Sequence, residues 1–151
     1  MRKTIILFCC LLIFWGINEA RSEPVLIMPF DEGADNPKDT SGKENHGLLN
    51  GATWAKGKTG GALIFNGLND CVMVKDNAEL ENTSGLSVEA WVNPEDVSKD
   101  YIGIVDKGWN GGYVLDIHQG KPRFQVQTAG GEFIIAASEE TLSIGTWYHL
   151  V

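Results

Sequence analysis

Punctuation constrains this chain more than any other feature. Short apolar or alternating runs recur along it, each bounded by Gly, Asn, Asp or Pro, and helical periodicity is nearly absent. Four runs carry the pattern best, at residues 61–67, 87–94, 104–108 and 145–151. In the second, Leu86, Val88, Ala90 and Val92 alternate with Ser87, Glu89 and Trp91, the period of a half-buried strand. Pro94 ends it, because proline has no N–H to give a central ladder. Further strands are predicted over 25–30, 47–50, 52–54, 62–65, 71–75, 101–106, 112–118, 123–128, 133–137 and 147–151. Asn50-Gly51 predicts a turn between the 47–50 and 52–54 runs, and the polar stretch 66–70 predicts that 62–65 pairs with 71–75. One helical turn is expected within 77–83. Many short strands without βαβ alternation specify an all-β, antiparallel sandwich or barrel.

The N-terminus is expected to lie outside that fold. Arg2 and Lys3 precede an apolar run, 4–17, followed by Asn18-Glu-Ala-Arg-Ser22, the layout of a secretory signal peptide. The run is shorter than the roughly 20 apolar residues that span a bilayer. Cleavage is predicted after Ser22, leaving one secreted or extracytoplasmic domain, residues 23–151, with no membrane insertion of the mature chain. Loss of Arg2, Lys3, Arg21 and Glu19, a net of +2, takes the formal charge from −8 to −10. That acidity disfavours nucleic acid and anionic membranes, which select basic patches. Cys9 and Cys10 leave with the signal, so Cys71 has no disulfide partner and reads as a small apolar core residue rather than a reactive thiol.

In their fixed order the runs resemble the LamG-like jelly-roll domains of the concanavalin A-like lectin/glucanase superfamily. The likeness begins at Met28-Pro-Phe-Asp-Glu-Gly33 and continues through Asp39-Thr-Ser-Gly42 and Asn45-His-Gly47. It includes the 61–72 segment with Gly67, Asp70 and Val72, then residues 87–94 and 145–151. Cys71 and Asn66 depart from it, where an aromatic and an Asp are usual. The resemblance implies an antiparallel jelly-roll β-sandwich and a strand at 145–151 followed by further core strands. On that reading the domain is C-terminally truncated, with an exposed apolar edge where those strands would pack.

Chemistry is sparse. Related glucanases carry their carboxylate pair on one strand as E-x-D-x-(x)-E, and no such run occurs, so catalysis is not expected. Glu79, Glu81, Glu95-Asp96 and Glu139-Glu140 read as solvated loop residues, and Glu89 stands alone in a strand. Gly57-Lys-Thr59 fails as a phosphate loop in spacing and context, and His46, His118 and His149 lack zinc spacing. Asn82-Thr-Ser84 meets the glycosylation sequon. Trp91 and Trp147 read as core rather than sugar platforms. Trp109, in a glycine-flanked turn, and Tyr113 are the candidate ligand-stacking residues. Asp31, Asp39 and Asn45 flank or lie in the long polar loop 34–45 and are candidate ligands for a structural Ca²⁺, which lectin-like members of the superfamily often hold, although Asp39 and Asn45 equally suit turn-making. The expected function is a secreted non-catalytic module binding a glycan or an extracellular protein. The alternatives are the accessory domain of a glycosidase or peptidase, and a purely structural or adhesive module.

Overall fold

The computed structural model describes residues 3–6, 23–81, 85–108 and 112–151. The strands in chain order are β1 (Lys3–Ile6), β2 (Gly47–Asn50), β3 (Thr53–Lys56), β4 (Gly61–Phe65), β5 (Cys71–Val74), β6 (Ala90–Asn93), β7 (Ile102–Asp106), β8 (Tyr113–His118), β9 (Lys121–Gln127), β10 (Phe133–Ala137) and β11 (Tyr148–Leu150). They form a five-stranded sheet ordered β11-β6-β1-β4-β3, a four-stranded sheet ordered β10-β9-β8-β7, and the pair β2-β5. Every pairing is antiparallel. The all-β jelly-roll sandwich expected from the sequence is the fold observed.

Period-2 alternation drives the two larger sheets together. Ala90, Val92 and Leu150 from the first meet Leu115 from the second, with Val88, Val105, Phe124 and Tyr148 packed around them. Ile102, Ile117 and Leu142 close one end. A second cluster of Met28, Phe30, Ala52, Ala62, Leu63 and Phe65 binds β2-β5 to the five-stranded sheet through Leu49, Val72 and Val74. At about 25 cal/mol per Å² of apolar area removed from water, clusters of this kind are the main favourable term in folding.

Two expectations need correction. First, β5 pairs with β2 and β4 with β3, so the expected pair of 62–65 with 71–75 does not form; the chain turns at Asn50-Gly51 as expected, but the turn joins two different ladders. Gly51, at φ +80, is a corner by which the chain steps between sheets. A Cβ there would lie 2.1 Å from Oδ1 of Asp70, the residue at the return corner, whose Oδ2 accepts the Asn66 N–H. Two abutting corners thus stand where one strand pair was expected. Second, residues 25–30 join no ladder among the described residues: the Ile27 N–H goes to the Asp39 carboxylate, and Phe30 sits at φ 58, which takes the chain out of strand geometry. The backbone of Lys3–Ile6 lies between β4 and β6. Ile5 is in register with both Leu63 and Val92, two of the most buried residues.

The exposed large apolar residues cluster on β10, an end strand of the four-stranded sheet rather than of the sheet that holds β11. Phe133, Ile134 and Ile135 of the edge strand β10 are 44, 64 and 54% exposed, and Ile144 is 62% exposed. Cys71, expected in the core, is half-buried, and its sulfur accepts from Asn50 Nδ2. The expected helical turn is a single 3-10 turn, Ala78–Leu80, capped by the Asn77 side chain accepting from the Glu79 N–H.

Candidate functional site

In the four-stranded sheet, register sorts residues onto two faces. Leu115 and Ile117, opposite Phe124 and Pro122, point to the core. Val114, Asp116 and His118, opposite Gln125, Arg123 and Lys121, occupy the other face. That face carries a built polar cluster. Asp116 is 0% and Gln125 5% exposed. The Arg123 guanidinium donates from Nε to Asp116 Oδ1 and from Nη2 to Oδ2, both at 3.0 Å, and Gln125 Nε2 donates to Oδ2 at 2.8 Å. A carboxylate so buried persists only when its charge and lone pairs are met, and the planar fork of arginine meets both oxygens at once.

Tyr101 roofs one side of the cluster. A Cβ on Gly103, which is level with Asp116 in the ladder, would lie 3.2 Å from the Tyr101 hydroxyl, so the phenol rests against the sheet because residue 103 has no side chain. That hydroxyl donates to Asp106 Oδ2 at 3.1 Å. Burial, then the charge and hydrogen bond of Asp106 and the charge of Asp116, push the phenol up to about 12, with Arg123 opposing. Tyr101 is therefore a fixed donor across the neutral range.

Beside the cluster, His118, Gln119, Lys121, Arg123 and Ala137 line a trough of about 150 Å³. Lys121 Nζ lies 3.4 Å from Oε2 of the fully solvated Glu139, a pair that contributes little. Among the described residues His118 Nδ1 is buried without a hydrogen-bond partner.

The residues singled out from the sequence lie elsewhere. Trp109 and the Asn82 sequon fall outside the described residues. Tyr113 is 8% exposed, so its ring has no face open to stack on a sugar, and burial raises its phenol. Trp91 and Trp147 are partly buried against the core, as expected; the Trp91 ring is stacked by His149 at 5.0 Å and covered by Lys58 at 4.7 Å. Glu89 is paired with His149 at 3.3 Å. Asp96, expected to be solvated, is 7% exposed and its Oδ1 accepts from the Ser98 N–H and hydroxyl.

The calcium candidates do not converge as a donor set. Asp39 accepts the N–H groups of Ile27, Ser41 and Asn45 and the Ser41 hydroxyl, all within 2.9 Å. Asn45 Oδ1 accepts from Asn77, and Asp31 Oδ1 accepts the Gly61 N–H at 2.7 Å. These oxygens already hold the backbone together, and a cation would have to displace those bonds. No group of three His, Cys, Asp or Glu positioned for a metal occurs among the described residues.

Sequence reasoning missed Asp116, Arg123 and Gln125. The signal was available: polar residues alternate at 116 and 118, then at 121, 123, 125 and 127, on either side of the Gln119-Gly120 turn. Folding that hairpin at the glycine lays them on one face.

The laminin G-type family model of the concanavalin A-like lectin/glucanase superfamily matches residues 65–151, more than half of the chain. The chain belongs to that superfamily. Neither the curated proteins nor the solved structures yield a match. The matched region contains every residue of the polar cluster and the trough, so the site is set in the shared domain. LamG-like domains are in general binding modules, and among the described residues no helix is long and apolar enough to cross a membrane.

Proposed function

We propose that this LamG-like domain is a secreted, non-catalytic module that binds carbohydrate on the outer face of the β7–β10 sheet. The observation that carries this reading is the buried Asp116–Arg123–Gln125 cluster with its adjoining trough. Such a network orients donors and acceptors at a rigid surface, as recognition of sugar hydroxyls requires, and rigid strands hold it better than loops would. Ala137 gives the trough an apolar wall for the C–H face of a sugar ring.

The same geometry argues against catalysis at this face. Asp116 is fully buried and saturated by three donors, and Asp106 accepts from Tyr101 and from the Gly108 N–H. Neither is left as one of the two free carboxylates that a glycosidase sets across a single sugar bond.

A glycan array probed with the full chain tests the reading. Binding that is lost in Ala137→Trp, which fills the trough, with an unchanged far-ultraviolet circular dichroism spectrum, is the expected result. Array-wide absence of binding at millimolar glycan would overturn it. Hydrolysis of a polysaccharide by this chain would overturn the non-catalytic part.

A further inference from the structure

Strand β10 lacks the devices that blunt the other end strands. It ends the four-stranded sheet, so among the described residues its only ladder is with β9. At the far end of that sheet, β7 has a register shift between Gly103 and Val105 and finishes on Asp106; β3, an end strand of the other sheet, finishes on Lys56. In β10, Phe133-Ile-Ile-Ala-Ala137, there is no charge, no proline and no shift, and all five residues are exposed, Ile134 at 64% and Ile135 at 54%. The phase of the strand is set at Ser138, whose N–H donates to the Pro122 carbonyl at 2.9 Å. Counting back from there, Ile134 and Ala136 turn their backbone groups to β9, while Ile135 and Ala137 turn theirs to the open side.

We infer that the open edge of β10 takes the β10 of a second copy of this chain, antiparallel and centred on Ile135. Size and charge along the strand select that arrangement. With Ile135 opposite Ile135, Phe133 falls opposite Ala137 and Ile134 opposite Ala136, so each remaining large side chain meets a small one. Glu132 falls opposite Ser138, and Glu139 opposite Gly131. Parallel pairing in register would instead set Glu132 against Glu132 and Glu139 against Glu139, and sliding Ile135 opposite Ala137 would set Phe133 against Glu139 and Glu132 against Glu140. Directly opposite residues share a face, so the twofold axis stands normal to the sheet and the two four-stranded sheets become one. Their outer faces, each with its Asp116–Arg123–Gln125 cluster, then lie on the same side. The pair closes on itself and consumes an edge that would otherwise invite further pairing. This pairing does not depend on what the outer face binds.

Sedimentation velocity of the full chain, from low to high micromolar concentration, tests the pairing. An edge of five residues spans about 17 Å and makes a small, transient interface, so the mass should pass reversibly from monomer to dimer across that range. With a net −8 on each copy and no charge in the strand, added salt should tighten the dimer. Ile135→Lys sets two ammonium groups together at the axis and should abolish the dimer at unchanged Tm, because residue 135 is already half exposed. Leu68→Lys, at an 86% exposed site outside β10, should leave it intact. In Ile135→Cys, opposed Cα atoms about 5.5 Å apart suit a disulfide, so mild oxidation should link more chains than in the wild type or in Ile134→Cys. A monomer at every concentration would overturn the inference, as would a dimer that salt loosens, that survives Ile135→Lys or that is lost in Leu68→Lys. Assembly beyond the dimer would overturn the closed twofold, and stronger linkage through residue 134 would overturn the register.

Discussion

Two buried carboxylates, Asp39 in the N-terminal loop and Asp116 in the four-stranded sheet, solve the same problem with different donors. Both are nearly inaccessible, at 7% and 0% exposure. Asp39 draws its hydrogen bonds mostly from backbone N–H groups and pins residues 25–45 into a shape that no ladder could impose. Asp116 draws its bonds from two side chains whose strand already has its backbone paired. A carboxylate saturated by backbone is spent on architecture. One saturated by side chains organises a surface, because arginine and glutamine have donor capacity left over.

The largest effect expected from breaking this comparison is at Asp116. Asp116→Ala leaves the guanidinium of Arg123, 17% exposed, without its counter-charge, and should cost about 3 kcal/mol in urea unfolding. A loss under 1 kcal/mol would mean that Arg123 swings to solvent and that the face is not preorganised.

Asp39→Asn is next, at about 2 kcal/mol near neutral pH, since an amide turns one acceptor into a donor facing N–H groups. Its pH dependence sharpens the comparison. Burial disfavours the Asp39 charge, but hydrogen bonds from the Ile27 backbone, the Ser41 backbone and hydroxyl, and the Asn45 backbone outweigh it and hold the carboxyl below its ordinary 3.8. A lowered folded value gives stability that is present above 3.8 and lost as pH falls through the folded value. The gap between the wild type and Asp39→Asn should therefore narrow below about pH 4. A constant gap would remove the charge from the account.

Tyr101 offers a smaller test at the opposite end of the scale. With its phenol raised to about 12, the unfolded chain releases this proton first, so stability should decline as pH climbs above about 10. Tyr101→Phe should remove that part of the decline and cost about 1 kcal/mol at neutral pH for the lost bond to Asp106. Alkaline ultraviolet titration should show Tyr148, lowered by its bonds to Ser143, ionising before Tyr101. The reverse order would contradict the packing of Tyr101 against Gly103.

The smallest expected effect is that of chelation. Because Asp39 and Asn45 have their oxygens engaged by the chain and Asp31 bonds to Gly61, EDTA should leave Tm where it was. A drop would show that calcium competes with those hydrogen bonds and would restore the loop as a metal site.

Much of the fold was legible before any coordinates. Alternation at Leu86, Val88, Ala90 and Val92 located the β6 region, and the runs near 102–106 and 133–137 emerged as β7 and β10. These are local signals, since side-chain period and turn chemistry act over a few residues. The candidate site was less legible. Tyr113, in the strand predicted over 112–118, is a stacking candidate by sequence and is buried in β8, because nothing local shows which side of a strand the second sheet will cover.

The sequence alone determined that the chain is built from short antiparallel strands, that they form a sandwich, and that the 61–72 and 145–151 segments mark a LamG-like domain. Only the tertiary structure decided that β2 pairs with β5 around the β3-β4 hairpin and that the strand at Lys3–Ile6 lies between β4 and β6. It alone placed Asp116 beneath Arg123 and Gln125. The reason is physical: strand identity follows from neighbours in sequence, but pairing partners and the burial of a polar face depend on contacts between residues far apart in the chain, which no local pattern encodes.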